Sequence, residues 1–238
     1  MSPATATLAP VYRARPTLRF RGEVDERASE LVREMSMSES EGGMRSLVLE
    51  LSNWASTRGG GAELAFEASD NLRLGGEIEV YGGEVDRPLA LFQGRITALE
   101  GVHERGRAPR LRVLAEDALM GARMVRRSRV FRDQSPADTV RSVAGELGLN
   151  PVISGLEAPV RSRAQVDETD LAFLRRILVR LDADLQIVGE ELHASPRDEV
   201  RRAELTLDVQ QDLRTLEVSA DLAHQVTSLS VRGWDATQ

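Results

Sequence analysis

The stretch that decides the fold is Asp167-Glu168-Thr169-Asp170-Leu171-Ala172-Phe173-Leu174-Arg175-Arg176. Acidic residues at its start suit the positive end of a helix dipole, so the pattern predicts a helix running to about Leu181. The buried stripe of this helix consists of Leu171, Leu174, Ile177, Leu178 and Leu181. A hairpin is predicted next, from Asp184 to Val188 and from Glu191 to Ala194, around Gly189 and Glu190. The helix and hairpin together predict a small α+β module.

A second helix is predicted just before this region. Ser135-Pro136-Ala137-Asp138 has the composition of a helix start, with Ser135 as N-cap, proline at the first helical position and an acid in the first turn. Val140, Ala144 and Leu147 then fall on one face, and Gly148 ends the helix. The module therefore begins at about residue 125, and we place its end near residue 198.

Short alternating segments precede the module and predict antiparallel strands. They are Pro16 to Arg21, Leu31 to Ser38, Ser46 to Trp54, Glu77 to Gly82, Leu89 to Glu100 and Arg110 to Ala115. Glu41-Gly42-Gly43 and Tyr81-Gly82-Gly83 are interpreted as turns between them. The pattern is typical of a β-barrel or a β-sandwich. Residues 1–10, with two prolines, are interpreted as an N-terminal arm that is flexible or ordered by a partner.

Strands are predicted again after the module, at Leu205 to Val209, Leu213 to Ser219 and Thr227 to Arg232. Three strands cannot close a barrel, so we interpret them as part of an incomplete third unit. The predicted organisation is an arm at 1–10, a β domain at 11–124, the α+β module at 125–198 and the partial β unit at 199–238.

Three segments resemble the phage late control D family, whose members include phage baseplate hubs and the base of the VgrG spike. The first is Arg126-Arg127-Ser128-Arg129-Val130-Phe131 with the capped helix that follows it, and the second is the stretch at 167–176. The third is Ser228-Leu229-Ser230-Val231-Arg232-Gly233-Trp234-Asp235. The resemblance extends over roughly residues 8 to 235, and the 125–195 module carries its most specific part.

The resemblance implies a structural hub at the base of the central spike of a contractile injection system or phage tail. The fold class expected is α+β, mainly β: a tube-protein-like antiparallel β-barrel, a small α+β module and the start of a second barrel. Three copies would form a ring of six barrels that adapts a threefold spike to a sixfold inner tube. The expected partners are two further copies, the inner tube protein, a spike protein or C-terminal spike domain, and other baseplate proteins.

Composition excludes several other function classes. The 238 residues carry 38 acids against 31 arginines and no lysine, for a formal net charge of -7, which disfavours nucleic-acid binding. There is no cysteine, so thiolate catalysis and cysteine-ligated metal sites are excluded. No apolar run has membrane-spanning length, so no stable membrane insertion is expected. Residues 1–10 lack the basic and apolar blocks of a secretion signal, so we expect synthesis in the cytoplasm and assembly into a particle.

No residue is predicted to be catalytic, cofactor-binding or metal-binding, and no cofactor is expected. The histidines, His103, His193 and His224, lack ligand spacing and are expected at the surface. Gly59-Gly60-Gly61 lacks the frame of a phosphate-binding loop and is interpreted as a flexible loop. Asp167, Glu168 and Asp170 are interpreted as helix-start acids rather than a glycosidase carboxylate pair.

Interface residues are not predictable from the sequence. Trp54 and Trp234 are expected to pack in the core or at an interface. Two other functions stay open at this point: a tail-associated carbohydrate- or receptor-binding module, and the hub part of a lytic spike enzyme. A catalytic pair in a cleft of the module would favour the enzyme, and exposed aromatic side chains would favour the binding module.

Overall fold

The structure is a computed structural model, and it describes residues 15–40, 43–56, 62–66, 69–83, 85, 87–199 and the separate positions 215, 217, 228 and 230. The chain divides into two compact units, Met1–Val200 and Arg201–Gln238. The arm predicted at 1–10, the glycine loop at 59–61 and the three strands predicted after residue 204 lie outside the described residues, apart from those four positions.

The first part of unit one is built of strands with two short helices. In chain order its elements are β1 (Thr17–Phe20), β2 (Glu23–Val24), α1 (Glu26–Glu30), β3 (Val32–Ser38), β4 (Ser46–Ser52), β5 (Ala55–Ser56), β6 (Ala62–Glu63), β7 (Glu77–Gly83), β8 (Pro88–Val102), β9 (Arg110–Glu116) and α2 (Met120–Met124). The six longer strands predicted from alternation are all present, within about two residues of their predicted ends.

Seven of these strands form one antiparallel sheet in the order β2-β1-β7-β8-β9-β4-β3. Strand β4 shows the physical reason most clearly, because Leu47, Leu49 and Leu51 are fully buried while the residues between them are half-buried. β1 and β3, near opposite ends of the order, contribute Leu18 and Val32 to the same core. The sheet therefore curves around its own inner face, as a barrel does, although no pairing between β1 and β3 closes it among the described residues.

The module that follows contains the remaining elements. They are β10 (Arg126–Gln134), α3 (Pro136–Glu146), β11 (Asn150–Ile153), β12 (Arg161–Thr169), α4 (Asp170–Leu178) with a final 3-10 turn (Val179–Leu181), β13 (Ala183–Val188) and β14 (Glu191–Pro196). β10 and β12 form an antiparallel ribbon, and β11, β14 and β13 form a second small sheet in that order. The predicted hairpin is β13–β14, and β11 pairs with β14 in parallel.

Both predicted helices are confirmed. Ser135 caps α3 together with Asp138, Pro136 lies at its start, and Gly148 adopts a φ of +72° just after its end. α4 packs its predicted apolar stripe into a core shared with α3 and the small sheet, and Phe131 of the ribbon stacks on Phe173 with ring centroids 5.1 Å apart. The predicted fold class, mainly antiparallel β with a small α+β module, is confirmed.

Two local interpretations were wrong. Asp167 and Glu168 do not lie in the first turn of α4, because β12 continues to Thr169, whose side chain caps the helix. Tyr81-Gly82-Gly83 is not a turn but the end of β7, paired with residues 88–90 of β8. A β-carbon on Gly82 would lie 2.8 Å from Leu91 Cδ1, so glycine here permits close approach of a side chain rather than chain reversal.

Candidate assembly surfaces

The outer face of the curved sheet carries a ladder of alternating charges. We define the charged ladder as seven residues on four adjacent strands: Glu50, Glu77, Arg95, Glu100, Arg110, Arg112 and Glu116. Strand alternation places them on the outside, because residues next to them in sequence, such as Leu49, Ile78 and Val113, are buried on the inner face.

Register brings opposite charges face to face across three strands. Arg95 of β8 lies between Glu77 of β7 and Glu116 of β9, and its Nη2 contacts Glu77 Oε1 at 2.8 Å. One strand further, Arg112 of β9 lies between Glu100 and Glu50, with Arg112 Nη1 at 3.0 Å from Glu100 Oε2. Each row alternates acid, arginine, acid.

The ladder continues toward the β8–β9 loop. Arg110 donates to both carboxylate oxygens of Glu50 at 3.1 Å, and its other terminal nitrogen lies 3.1 Å from Glu104 Oε2. Arg110 and Glu50 are the least exposed of these pairs. The hydrogen bond to Glu50 is the main cause that raises the pKa of Arg110 above its usual value. Ion pairs at a protein surface add little stability, so the face is wide and polar, with its charges paired, rather than adhesive.

A second charged cluster lies between the ribbon and α4. Asp170 is only 4% exposed, and its Oδ1 accepts from Arg129 Nη2 at 2.7 Å and from Gln165 Nε2 at 2.8 Å. Its Oδ2 lies 3.2 Å from Arg127 Nε. Both arginines also pair with Glu146 of α3. Because every acceptor is used inside the module, this cluster holds the ribbon to the helices and does not face a ligand.

The other predicted helix-start acids are dispersed. Glu168 pairs with Arg176, whose guanidinium lies 5.2 Å from the centre of the Phe173 ring, and Asp167 contacts Arg126. Asp167 has a φ of +46°, in the bulged part of β12. The three acids thus enter separate contacts and do not form a facing carboxylate pair.

A cleft of about 400 Å³ lies between the curved sheet and the module. At its base is Asp117, which is buried and accepts from the backbone N–H groups of Arg45 and Leu119 at 2.8 and 2.9 Å. Burial is the main cause that raises the pKa of Asp117 above its usual value. The cleft lining contains no serine, threonine or histidine, so it brings together no nucleophile and base of the kind that acyl transfer needs.

His103, His193 and Trp54 are at the surface. His103 is exposed, and His193 Nε2 lies 2.8 Å from a carboxylate oxygen of Glu191. Among the described residues no group of three or more histidines and acids is arranged to hold a metal ion. Trp54 is about half exposed, so it is not a core residue, and its role at an interface stays a prediction. His224 and Trp234 lie outside the described residues.

The profile of the phage tail baseplate hub (GPD) family matches residues 61–182. The chain belongs to this baseplate hub family. The match includes β7, β8 and β9 with most of the charged ladder, the whole ribbon, and both helices. No curated protein sequence matches the chain.

Two solved structures with a similar fold are tail proteins. The 43 kDa tail protein of prophage MuSo2 from Shewanella oneidensis is 11% identical with a TM-score of 0.58, and 76% of this chain covers 52% of it. A tail protein from Neisseria meningitidis MC58 is 13% identical with a TM-score of 0.52, at 76% and 49% coverage. An E. coli component of the type VI secretion system is 12% identical with a TM-score of 0.49, at 78% and 50% coverage. The chain thus spans about half the length of these proteins.

The edge of the sheet at β3 is a surface that sequence reasoning missed. Met35 and Met37 lie directly opposite the buried residues Leu49 and Leu47, and they are 36% and 43% exposed. The alternation of Val32–Ser38 predicted the strand, but an edge position depends on strand order, which no local pattern specifies.

None of the helices in the described part of the chain has the length and apolar character of a membrane-spanning helix.

Proposed function

We propose that this chain is a non-enzymatic baseplate hub that assembles as a homotrimer at the base of a central spike. Each copy contributes a first tube-like barrel domain at 11–124, an α+β module at 125–198 and strands of a second tube-like barrel from 199. Six quasi-equivalent barrels then form a ring that meets a sixfold inner tube on one side and a threefold spike on the other.

The observation that carries the proposal is the match of the baseplate hub family to residues 61–182, which joins the curved sheet and the module in one family unit. The curved sheet supplies a wide surface on which charged side chains are already paired, Arg95 with Glu77 and Glu116 with Arg123. A face of this kind suits a channel wall, because cargo of either charge finds few unpaired partners on it. The edge strand β3 differs from this charged face, because it exposes the apolar side chains of Met35 and Met37.

The proposed partners are the inner tube protein, a spike protein or spike domain, and other baseplate proteins. Nucleic acid is not among them, because the chain has a net charge of -7 and Arg95, Arg110 and Arg112 are paired with acids across strands. We place the assembled protein in a phage tail or injection particle after synthesis in the cytoplasm, with no stable insertion into a membrane.

The test is the native mass of the chain, with and without tube protein, followed by electron microscopy of the particles along their axis. Three chains with six barrel-like densities around a channel would support the hub. A chain ending at residue 200 is the control, because it lacks the predicted second barrel and should give no ring of six. A full chain that stays monomeric with tube protein present would overturn the proposal.

A further inference from the structure

The α+β module consists of two halves with the same sequence pattern. Residues 127–153 and 161–187 align without a gap at an offset of 34 residues, and seven of the 27 positions are identical. The first half follows β10, α3 and β11, and the second follows β12, α4 and β13. Both halves begin with Arg-Ser-Arg, and Ser135 and Thr169 occupy equivalent positions as the N-caps of the two helices. The offset therefore relates structure as well as sequence.

Strand pairing shows that a local twofold axis relates the two halves. The axis passes through the pair of Val130 and Ala164, because these residues are equivalent and lie opposite each other in the ribbon. On either side of this pair the same pairing recurs with the halves exchanged: Arg129 with Gln165 and Phe131 with Arg163, then Arg127 with Glu168 and Gln134 with Arg161. The surroundings of a residue in one half therefore indicate what should surround its counterpart in the other.

The bulges of the ribbon follow the same symmetry. Asp133 and Asp167, which are equivalent, have φ values of +49° and +46°. The backbone N–H of Asp133 donates to Ser162 Oγ at 3.2 Å, and that of Asp167 donates to Ser128 Oγ at 3.0 Å. Each half thus holds the bulge of the other by the same hydrogen bond, so the twofold relation extends to side-chain contacts.

The halves differ in charge at one pair of equivalent sites. At the first site Arg127 and Arg129 contact two acids, Asp170 and Glu146. The residues at the equivalent positions are, in the same order, Arg161, Arg163, Pro136 and Arg180. We call Arg161 and Arg163 the arginine pair. Both arginines are thus kept at the second site, whereas neither acid is.

The arginine pair has no carboxylate partner in the described part of the chain. Arg161 is exposed, and Arg163 donates to the backbone carbonyl oxygens of Gln134 and Pro159 at 2.6 and 2.9 Å. Burial lowers the pKa of Arg163, and the positive charge of Arg161 lowers it further. The two positive charges therefore lie close together without an acid to neutralise them.

We propose that the arginine pair binds a carboxylate side chain of a second copy of this chain. The Asp170 cluster shows the geometry of such a contact, since one carboxylate there lies 2.7 Å from Arg129 Nη2 and 3.2 Å from Arg127 Nε. Hydrogen bonds between a guanidinium and a carboxylate are stronger than neutral ones and also fix orientation. The inference rests on the homotrimer of the proposed function and specifies one of its contacts.

The charge of the chain favours a second copy as the source of the carboxylate. Its 38 acids exceed its 31 arginines, which leaves a net charge of -7. Glu23, Glu34 and Glu63 are exposed acids that form no ion pair within the described part of the chain. In a closed ring each interface joins two different surfaces, so an arginine site on one copy meets another face of the next copy. One sequence thus supplies both charges of the contact.

Arginine-selective modification tests the proposal on the unaltered chain. Phenylglyoxal is the probe, and mass spectrometry identifies the modified positions. We expect Arg161 to react about tenfold more slowly or more in the trimer than in the monomer obtained by dilution, because a desolvated charge pair excludes the reagent. Arg105, exposed in the β8–β9 loop, is the control and should react equally in both states.

Two outcomes of the modification experiment would overturn the proposal. One is an Arg161 that reacts as rapidly in the trimer as in the monomer. The other is protection of Arg161 that appears only when tube or spike protein is added, because it would assign the carboxylate to that protein instead of a second copy.

Charge reversal gives a second test. Arg161→Glu should weaken the trimer about tenfold or more in a dilution series followed by native mass, because it places like charges at the contact. Arg105→Glu changes the net charge by the same amount and should leave trimer formation unchanged. An Arg161→Glu chain that trimerises as tightly as the wild type would remove this inference and leave the proposed hub intact. A wild-type chain that stays monomeric with tube protein present would overturn both.

The twofold relation supplies a third test. Pro136→Asp places a carboxylate at the position equivalent to Asp170, where it can bind the arginine pair within one chain. Pro136→Asn is the matched control, because it has the same size without the charge. We expect the trimer of the aspartate variant to dissociate at about tenfold higher concentration than that of the asparagine variant, since the internal carboxylate competes with that of the second copy. Equal dissociation of the two variants would overturn the equivalence of the two sites, and with it the proposal.

Discussion

Ser135 and Asp138 cap α3 reciprocally. Ser135 Oγ accepts from the Asp138 backbone N–H at 3.0 Å, and Asp138 Oδ2 accepts from the Ser135 backbone N–H at 3.2 Å. We predict that Ser135→Ala lowers the free energy of unfolding by about 1 kcal/mol at neutral pH, measured by urea denaturation. Ser142→Ala is the control, since Ser142 is exposed in the middle of the same helix. Equal effects of the two substitutions would contradict the prediction.

The same cap gives a pH dependence with a definite sign. The Ser135 side chain is the main cause that holds the pKa of Asp138 below its usual value. A carboxyl group of this kind stabilises the fold above its unfolded pKa, and the stabilisation is lost as the pH falls through the folded pKa. We therefore expect the stability difference between the wild type and Ser135→Ala to narrow well below pH ~3.9, the usual aspartate value. A difference that is constant from neutral to acid pH would argue against the cap.

Among the acidic residues, Asp170 is the one whose removal should lower the free energy of unfolding most. Its carboxylate is buried and bonded to Arg129, Gln165 and Arg127, so Asp170→Ala leaves guanidinium groups partly buried without their main partner. We predict a loss of about 3 kcal/mol of unfolding free energy. Glu77→Ala removes an exposed partner of Arg95 and should cost less than about 1 kcal/mol. Chemical denaturation of both variants checks this, and similar losses would contradict it.

One aromatic stack joins the β10–β12 ribbon to α4, beside the charged cluster around Asp170. Phe131 is buried and stacks on Phe173 of α4, and Arg129 lies over the outer part of this stack, 4.7 Å from the centre of the Phe131 ring. We predict that Phe131→Ala lowers the unfolding free energy by about 3–5 kcal/mol and speeds hydrogen exchange in the ribbon. Val130→Ala is the control on the exposed side of the same strand and should change stability by about 0.5 kcal/mol at most. Unchanged exchange in Phe131→Ala would show that the ribbon is held elsewhere.

Elements with a strong local pattern were predictable from the sequence. The capped start of α3 and its glycine stop specify both helix ends through local hydrogen bonding and backbone conformation, and both were confirmed. β4 was predictable because leucine alternates with partly exposed residues along a strand with one buried face. The β13–β14 hairpin was predicted within two residues, since Gly189, with a φ of +62°, marks its turn.

The ribbon shows why the rest was not predictable. Its inner side carries Arg127, Arg129 and Phe131, so the alternation of charged and apolar residues that identifies a half-buried strand is missing. Arg129 is half-buried there, and its partner Asp170 lies forty-one residues further along the chain. The acids at 167–168 were misplaced for the same reason, since pairing with β10 and not the local sequence extends β12 to Thr169. Assembly surfaces depend equally on strand order.

At the scale of the whole molecule, the described part of unit one contains two hydrophobic cores. One lies inside the curved sheet and includes Leu49, and the other lies in the α+β module and includes Leu174. Met44, between β3 and β4, packs against the module core, and the Asp117 carboxylate binds the backbone of Arg45 and Leu119. Leu119 and Ala122, just before and within α2, are also buried in the module core, so the sheet and the module are linked at this point. Apart from these residues, each core is filled mainly from its own segment of chain.

Because the two cores are largely separate, a cavity made in one of them should loosen mainly the elements that surround that core. Leu49→Ala and Leu174→Ala each remove a fully buried side chain and should each cost about 2–5 kcal/mol. We expect Leu49→Ala to speed hydrogen exchange in β4, β8 and β9 while the amides of α3 and α4 keep their protection, and Leu174→Ala to give the reverse pattern. Each variant is thus the control for the other. If either substitution loosened both sets of amides equally, the sheet and the module would unfold as one cooperative unit, coupled through Met44, Asp117 and the buried residues of α2.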